Sequence, residues 1–410
     1  MSEPKANADP ADRTPPDQSR WFRRHPRAAL LLFTLVLVLG LLMGVDALLG
    51  LKDPSQSPDK VPISTRSIRL KEHKPLMDIT ARPSDEYMKT VDGLVQKACR
   101  FRADANAFVM PSMVHERADA TIVFLGGSTT ECIYVDEELR FPYLAGRRLQ
   151  EATGLTINSC NGGVSGNVTL HSVNILLNKV VPLRPRVVVM MHNINDLVTL
   201  LYMGTYWSDH FSRSLITVGP DPDLQRSFGQ KLRCMGYDVC DAFVPNLTRR
   251  IQGLAVRAGG GWDEWSQVRG RRIDYDADAL AGQFERSLRA FIALCRVYDI
   301  QPVLMTMPSR LTDKGDAIVL DGVAQVFGTR DGYAGFKAGF DRFNQTIRDV
   351  GRSQNVPVID LAAQIPQDRL HMYDAVHFND HGSTVAAEII AKELAPLLKG
   401  PATRPGRNPS

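Results

Sequence analysis

Two kinds of apolar run occur along this chain. The first is a single long one. From Ala28 to Val45 (AALLLFTLVLVLGLLMGV) no residue is charged, which is about the minimum length that spans a hydrocarbon core as a helix. The others are short, rich in β-branched residues, and separated by segments of helical period: TIVFLGG from Thr121, LTINSC from Leu155, VVVMMH from Val187 to His192, PVLMTM from Pro302 to Met307, and VPVIDL from Val356 to Leu361. Helices are predicted from about Tyr143 and about Leu170, and an amphipathic, helix-length segment precedes each of the last two strands. Five apolar strands joined by helices predict a parallel sheet covered on both faces.

The flanks of the long apolar run set an orientation. Arg20, Arg23, Arg24 and Arg27 crowd its entry, whereas Asp46, Lys52 and Asp53 beyond it are of mixed sign. The positive-inside rule keeps the residues before the run in the cytoplasm and exports the rest. A cleaved signal peptide, with Val45-Asp46-Ala47 as a poor cleavage site, is the competing reading. An anchor fits better, because the leading segment is long and the run exceeds a signal core. The expected organisation is a cytoplasmic tail over 1–27, a transmembrane signal anchor over 28–50, a Pro- and Ser-punctuated linker over 51–84, a globular domain over 85–399 and a disordered tail over 400–410. Two stretches interrupt the strand–helix alternation, near 205–275 and near 310–333. The first holds Gly259-Gly260-Gly261 with Trp262 and Trp265, aromatics that either stack on sugars or fill a small core of their own.

Composition narrows the class. The chain has 410 residues, 44% hydrophobic and 23% charged, and a formal net charge of +4; disorder is excluded as the main state, and the charge is too small for a nucleic-acid binder. Six cysteines are too few for a disulfide scaffold in a chain of this size. Export makes pairing chemically permissible, with Cys234 and Cys240 closest in sequence and Cys99, Cys132, Cys160 and Cys295 left to combine or to serve as small buried residues. No cysteine has metal-ligand spacing with a histidine, and no cofactor site is apparent. The sequon Asn246-Leu247-Thr248 is too short to carry weight.

Polar clusters fall at the ends of the predicted strands, where ligands bind in such sheets. After the first come Gly126-Gly127-Ser128-Thr129-Thr130; Ser128 there is a nucleophile, a helix cap or part of an anion loop. No Gly-Lys-Ser/Thr, no G-x-G-x-x-G and no G-x-S-x-G is present. After the second strand lies Asn161-Gly162-Gly163-Val164-Ser165-Gly166-Asn167, a loop whose amides are open to a ligand. After the third lies Asn193-Ile194-Asn195-Asp196. Near the carboxyl end, Asp374-Ala375-Val376-His377 places a carboxylate three residues before a histidine, a spacing that lets it hold one ring nitrogen while the other faces a hydroxyl. His371 and His381 flank this turn as rivals, and His192 at the end of the third strand is either a substrate contact or a structural histidine.

Taken together, the blocks GGSTT, GGVSGN, NIND and DAVH, in this order over about Ala118 to Leu398, resemble the SGNH (GDSL-like) hydrolase superfamily. The resemblance implies a flavodoxin-like three-layer α/β/α sandwich. It implies Ser128 as nucleophile, His377 as general base and Asp374 as the residue orienting it, with an oxyanion hole of the Ser128 amide, the Gly166 amide and the Asn195 side chain. Gly163 and His192 would be substrate contacts. No metal or other cofactor is implied. The sequence departs from the family pattern at Gly127, where many members have Asp, and at Asn193, where Gly is usual. The GGSTT form looks like a subgroup of bacterial envelope proteins.

The expected function is a serine esterase or deacylase of the inner membrane, single-pass, with its catalytic domain in the periplasm. It would act through an acyl-serine intermediate on acyl esters such as the O-acetyl groups of an envelope polysaccharide. The alternatives are an O-acyltransferase with the same three residues, a lipid or lysophospholipid esterase, and a catalytically silent anchored binding or assembly protein. Nucleic acid is not an expected partner.

Overall fold

The computed structural model describes residues 25–51, 64–68, 70–208, 212–220, 276–327 and 332–399. Cys234, Cys240, the sequon, Trp262, Trp265, the two tails and most of the 205–275 stretch lie outside them. The chain divides into two units, Met1–Ser64 with Pro220–Gln225 and Thr65–Gly219 with Arg226–Ser410. The main described element of the first is helix α1, Pro26–Leu51, in which Leu30, Leu31, Phe33, Val36 and Leu41 are all more than half exposed. Among the described residues no helix is long and apolar enough to cross a membrane, so the span expected from the sequence is not found there.

The second unit opens with a feature the apolar pattern did not announce, an antiparallel pair of β1 (Asp78–Ala81) and β2 (Cys99–Arg102). These strands are short and largely polar, and only their inward positions, such as Cys99 and Phe101, are buried. A bridge between Val109 and Asn161 then leads this segment onto the edge of the main sheet.

That sheet is the predicted one. Its strands are β3 (Ala120–Gly126), β4 (Ile157–Gly163), β5 (Val187–Met191), β6 (Gln301–Met305) and β7 (Val358–Ile359), all parallel, in the spatial order β4-β3-β5-β6-β7. Every residue of β4 and β5 is buried. Successive strand residues face opposite sides, so both faces are covered. Two groups of helices provide the cover. One is α3 (Phe141–Thr153) against the closing helix α9 (Asp380–Lys399); the other gathers α4 (Thr169–Ile175), α5 (Ile194–Met203), α6 (Ala277–Val297) and α8 (Tyr333–Gln354). Each buries one stripe at helical spacing: Leu280, Phe284, Leu288, Phe291 and Cys295 on α6, and Phe336, Phe340, Phe343 and Ile347 on α8. The rings of Phe284 and Phe343 stack between them at 4.6 Å.

Two expectations need amending. The stretch 310–333 is not wholly irregular, since Ala317–Phe327 forms helix α7. The linker expected over 51–84 gives way to folded chain before its end: Lys71, Glu72 and His73 are half-buried within the second unit. The four described cysteines, Cys99, Cys132, Cys160 and Cys295, are buried free thiols, and burial pushes Cys132, Cys160 and Cys295 up to about 12.

The strand order decides where a site can form. From β3, an inner strand, the chain moves first to β4 on one side and then to β5 on the other. The loops after β3 and its two neighbours therefore diverge and leave a crevice at the carboxyl edge. Those loops carry the GGSTT, GGVSGN and NIND blocks.

Candidate active site

Ser128 is the first residue of the single-turn helix α2 (Ser128–Glu131), with Gly127 as its N-cap. The turn is drawn tightly onto the sheet. A Cβ at Gly163 would lie 2.4 Å from the Glu131 backbone nitrogen, so only glycine lets β4 and α2 approach this closely. Gly163 thus serves the packing of this turn against the sheet. A Cβ at Gly127 would stand 2.5 Å from Asn195 Nδ2; a larger residue there requires Asn195 to move.

The carboxyl-terminal block arrives from the far end of the chain. Asp374 Oδ1 accepts from the backbone amides of Val376 and His377, at 2.9 and 2.8 Å, which closes a local turn and aims the carboxylate at the ring. Asp374 Oδ2 lies 2.6 Å from His377 Nδ1, and His377 Nε2 lies 2.7 Å from Ser128 Oγ. With Nδ1–H donated to the carboxylate, Nε2 is the acceptor for the serine hydroxyl. The neighbourhood fixes this line. Phe378 meets Phe141 edge to face, and Phe141 meets Phe124 on β3 in the same way, each at 5.9 Å. Tyr373 lies parallel to the His377 ring at 5.5 Å. From the other side the Arg310 amide donates to Ala375 O at 2.8 Å, and its buried guanidinium to Met372 O at 3.2 Å.

Electrostatics suit a base held ready. Burial opposes a charge on His377, but the adjoining Asp374, with help from Glu131, outweighs it and raises the pKa above the ordinary 6.5. Burial likewise opposes ionisation of Asp374, yet His377 and the two amides hold it below the usual 3.8.

The other sequence candidates sort clearly. His371 Nδ1 is taken up by Asp368 at 2.7 Å and its ring lies 4.9 Å from that of His381; of these three histidines, His377 is the one bonded to Ser128. His192 is 1% exposed and its Nε2 is held by Ser172 Oγ at 2.7 Å. Its other nitrogen, Nδ1, stands 3.6 Å from buried Asp196 Oδ2, which fits the structural reading of this histidine. Asn195 and Gly166 are brought to the Ser128 turn: Asn195 Nδ2 donates to Asn167 O at 3.0 Å, next to Gly166, whose own carbonyl accepts from Arg213 Nη1 at 2.6 Å. Asn193, in place of the usual glycine, is buried and ties β5 to α8 by donating to Phe340 O and Asn344 Oδ1, both at 3.0 Å.

Sequence reading missed Glu131. This carboxylate is 2% exposed, accepts from Ser165 Oγ, and lies 3.1 Å from His73 Nε2. Its one signal was position, three residues after Ser128 on the same turn. Among the described residues no cluster of His, Cys, Asp and Glu could hold a metal ion.

A serine-bearing turn at the topological switch, met by a histidine and its carboxylate, has the arrangement that acyl transfer through a serine requires in an α/β protein. Residues 124–385 match the family model of the GDSL-like lipase/acylhydrolases. The chain belongs to that family and is a serine ester hydrolase. No curated protein matches it. Among solved structures it is similar to a lipase/acylhydrolase from Enterococcus faecalis, with 16% identity, 68% of this chain and 97% of that one covered, and a TM-score of 0.40. It is also similar to Axe2, an acetylxylan esterase from Geobacillus stearothermophilus, with 14% identity, 69% and 95% covered, and a TM-score of 0.35.

Proposed function

We propose that Ser128 is the nucleophile, His377 the general base and Asp374 its orienting residue, and that the protein removes small acyl groups from an envelope polysaccharide. The observation that carries this reading is the unbroken line Asp374–His377–Ser128, with hydrogen bonds of 2.6 and 2.7 Å. Ser128 Oγ attacks the ester carbonyl as its proton passes to His377 Nε2. The oxygen that gains charge is met by the amides of Ser128 and Gly166 and by Asn195 Nδ2. Collapse expels the alcohol, which takes the proton from His377 and leaves an acyl-serine. Water then attacks that ester, again deprotonated by His377, and frees the acid. A sugar hydroxyl in place of water would make the same residues an acyltransferase.

Helix α1 is proposed as the anchor, with residues before it cytoplasmic and the domain in the periplasm. The support is its uncharged run from Ala28 to Val45, the arginines on one flank and its exposed leucines. A domain held in the envelope meets acylated glycans there, which is the argument for that substrate class.

The test is labelling of the full chain in detergent with a fluorophosphonate, followed by peptide mapping. Modification at Ser128, lost in Ser128→Ala, is the expected result; labelling elsewhere, or none in a folded protein, overturns the assignment. Release of acetate from acetylated glycans but not from lipid esters supports the substrate class, and the reverse pattern replaces it with a lipid. Membrane fractionation with protease protection tests the anchor.

A further inference from the structure

The segment Lys71–His73 lies upstream of the family-matched residues 124–385, yet Lys71 and His73 make polar contacts with the loops around Ser128. His73 Nε2 stands 3.2 Å from Gly163 O and 3.1 Å from Glu131 Oε1. Both partners are acceptors, so Nε2 carries the hydrogen. The His73 ring is seated edge-on against Phe101 of β2 at 5.1 Å. The Glu72 carboxylate accepts from Lys179 Nζ at 2.9 Å. The Lys71 carbonyl accepts from Asn167 Nδ2 at 3.1 Å, and its ammonium donates to Ser212 O at 3.0 Å.

The Lys71 and His73 contacts converge on two of the three donors assigned to the oxyanion hole, the Gly166 amide and Asn195 Nδ2. One path runs from Lys71 O to the Asn167 side chain, and from the Asn167 carbonyl to Asn195 Nδ2 at 3.0 Å. The other runs from His73 to Glu131, whose second oxygen holds Ser165 Oγ, the residue before Gly166. Glu131 in turn sits on the turn that begins with Ser128. The strap therefore touches both ends of the 163–167 loop and the nucleophile's own helix.

We propose that Lys71–His73 is a positioning strap for the oxyanion hole: it sets the spacing between the Gly166 amide and Asn195 Nδ2, and so acts on the transition state and not on substrate binding. This rests on the reading of Ser128, Gly166 and Asn195 given above. Oxyanion donors work only within a narrow range of distance from the developing charge. A loop of small residues carrying one of them needs an external support, and this chain supplies it from outside the family-matched region.

The test uses the full-length protein with 4-nitrophenyl acetate as probe and a boronic acid as a tetrahedral mimic. His73→Ala is expected to lower kcat about tenfold with KM within about twofold, because misplacement of a donor costs rate and not ground-state affinity. Boronate inhibition should weaken by a matching factor. His73→Gln, which keeps a side-chain N–H donor, should recover most of the rate. Glu131→Gln serves where His73→Ala does not fold, and should show the same kcat loss at constant KM. Unchanged kcat in His73→Ala and Glu131→Gln overturns the strap, as does a fall in kcat that leaves boronate inhibition intact or that His73→Gln does not relieve. Ser128→Ala keeps the two proposals apart: turnover surviving in it removes the proposed function, whereas an inactive Ser128→Ala beside a fully active His73→Ala removes the strap alone.

Discussion

The second unit contains two groupings of serine, histidine and aspartate. In the first, Ser128, His377 and Asp374 form a line with separations of 2.7 and 2.6 Å. In the second, Ser172 Oγ lies 2.7 Å from His192 Nε2, while His192 Nδ1 stands 3.6 Å from Asp196 Oδ2. The residue types are the same and the chemistry is opposite. Burial, with a smaller push from His171, drives the pKa of His192 down to about 3, whereas that of His377 is raised. Asp196, buried and bonded to Tyr206 at 2.6 Å and the Thr169 amide at 2.9 Å, is pushed up to about 6, whereas Asp374 is lowered. The second grouping cannot bind a proton on its histidine near neutral pH and has no access to solvent. It joins the starts of α4 and α5 and so supports the loops that carry Gly166 and Asn195. A constellation becomes a site through accessibility and charge coupling as much as through composition.

The widest separation of the two groupings comes from their serines. Ser128→Ala should lower kcat by about 10⁵- to 10⁶-fold with unchanged melting, measured by ester hydrolysis and calorimetry. Ser172→Ala should leave kcat within a few-fold and lower unfolding free energy by about 1–3 kcal/mol, because buried His192 Nε2 loses its partner. Equal effects of the two on turnover would erase the distinction. Asn195→Ala sharpens it further: a loss of about 10²- to 10³-fold in kcat is expected for one oxyanion donor, and wild-type rates would remove Asn195 from that role. The smallest effects lie in pH. Only neutral His377 accepts the serine proton, so kcat/KM should rise through a midpoint above 6.5, and Glu131→Gln should move that midpoint down. Asp196 binds its proton more tightly folded, at about 6, than unfolded, at 3.8. Its contribution to stability is full below 3.8 and is lost as pH rises through about 6. Urea titrations at pH 5 and pH 7 should show this slope in the wild type and a flatter one in Asp196→Asn.

Much of the sheet is legible in the sequence because most of its strands are short, largely buried apolar runs between helical segments. The periodicity marks existence and not neighbours: nothing in it says that β3 lies between β4 and β5. Strands β1 and β2 escaped notice because an edge pair with one solvated face carries little apolar signal. At the site, the serine, the histidine and the three loop blocks are readable from local spacing. His192 stayed open between two readings because a histidine at a strand end reads alike whether it points into the crevice or into the core. Lys71–His73 and Glu131 were invisible for a different reason. Their contacts are long-range, and several run to main-chain carbonyls, which every residue possesses.

Ser128 and His377 are 249 positions apart in the chain. The chain must therefore close a long loop to bring the imidazole to the hydroxyl, and closure of this kind is slow relative to local folding. Until it closes, Ser128 has no neighbouring base and is an ordinary hydroxyl. The proposed reactivity thus belongs to the folded domain and not to any one of its segments, a property that comes from connectivity.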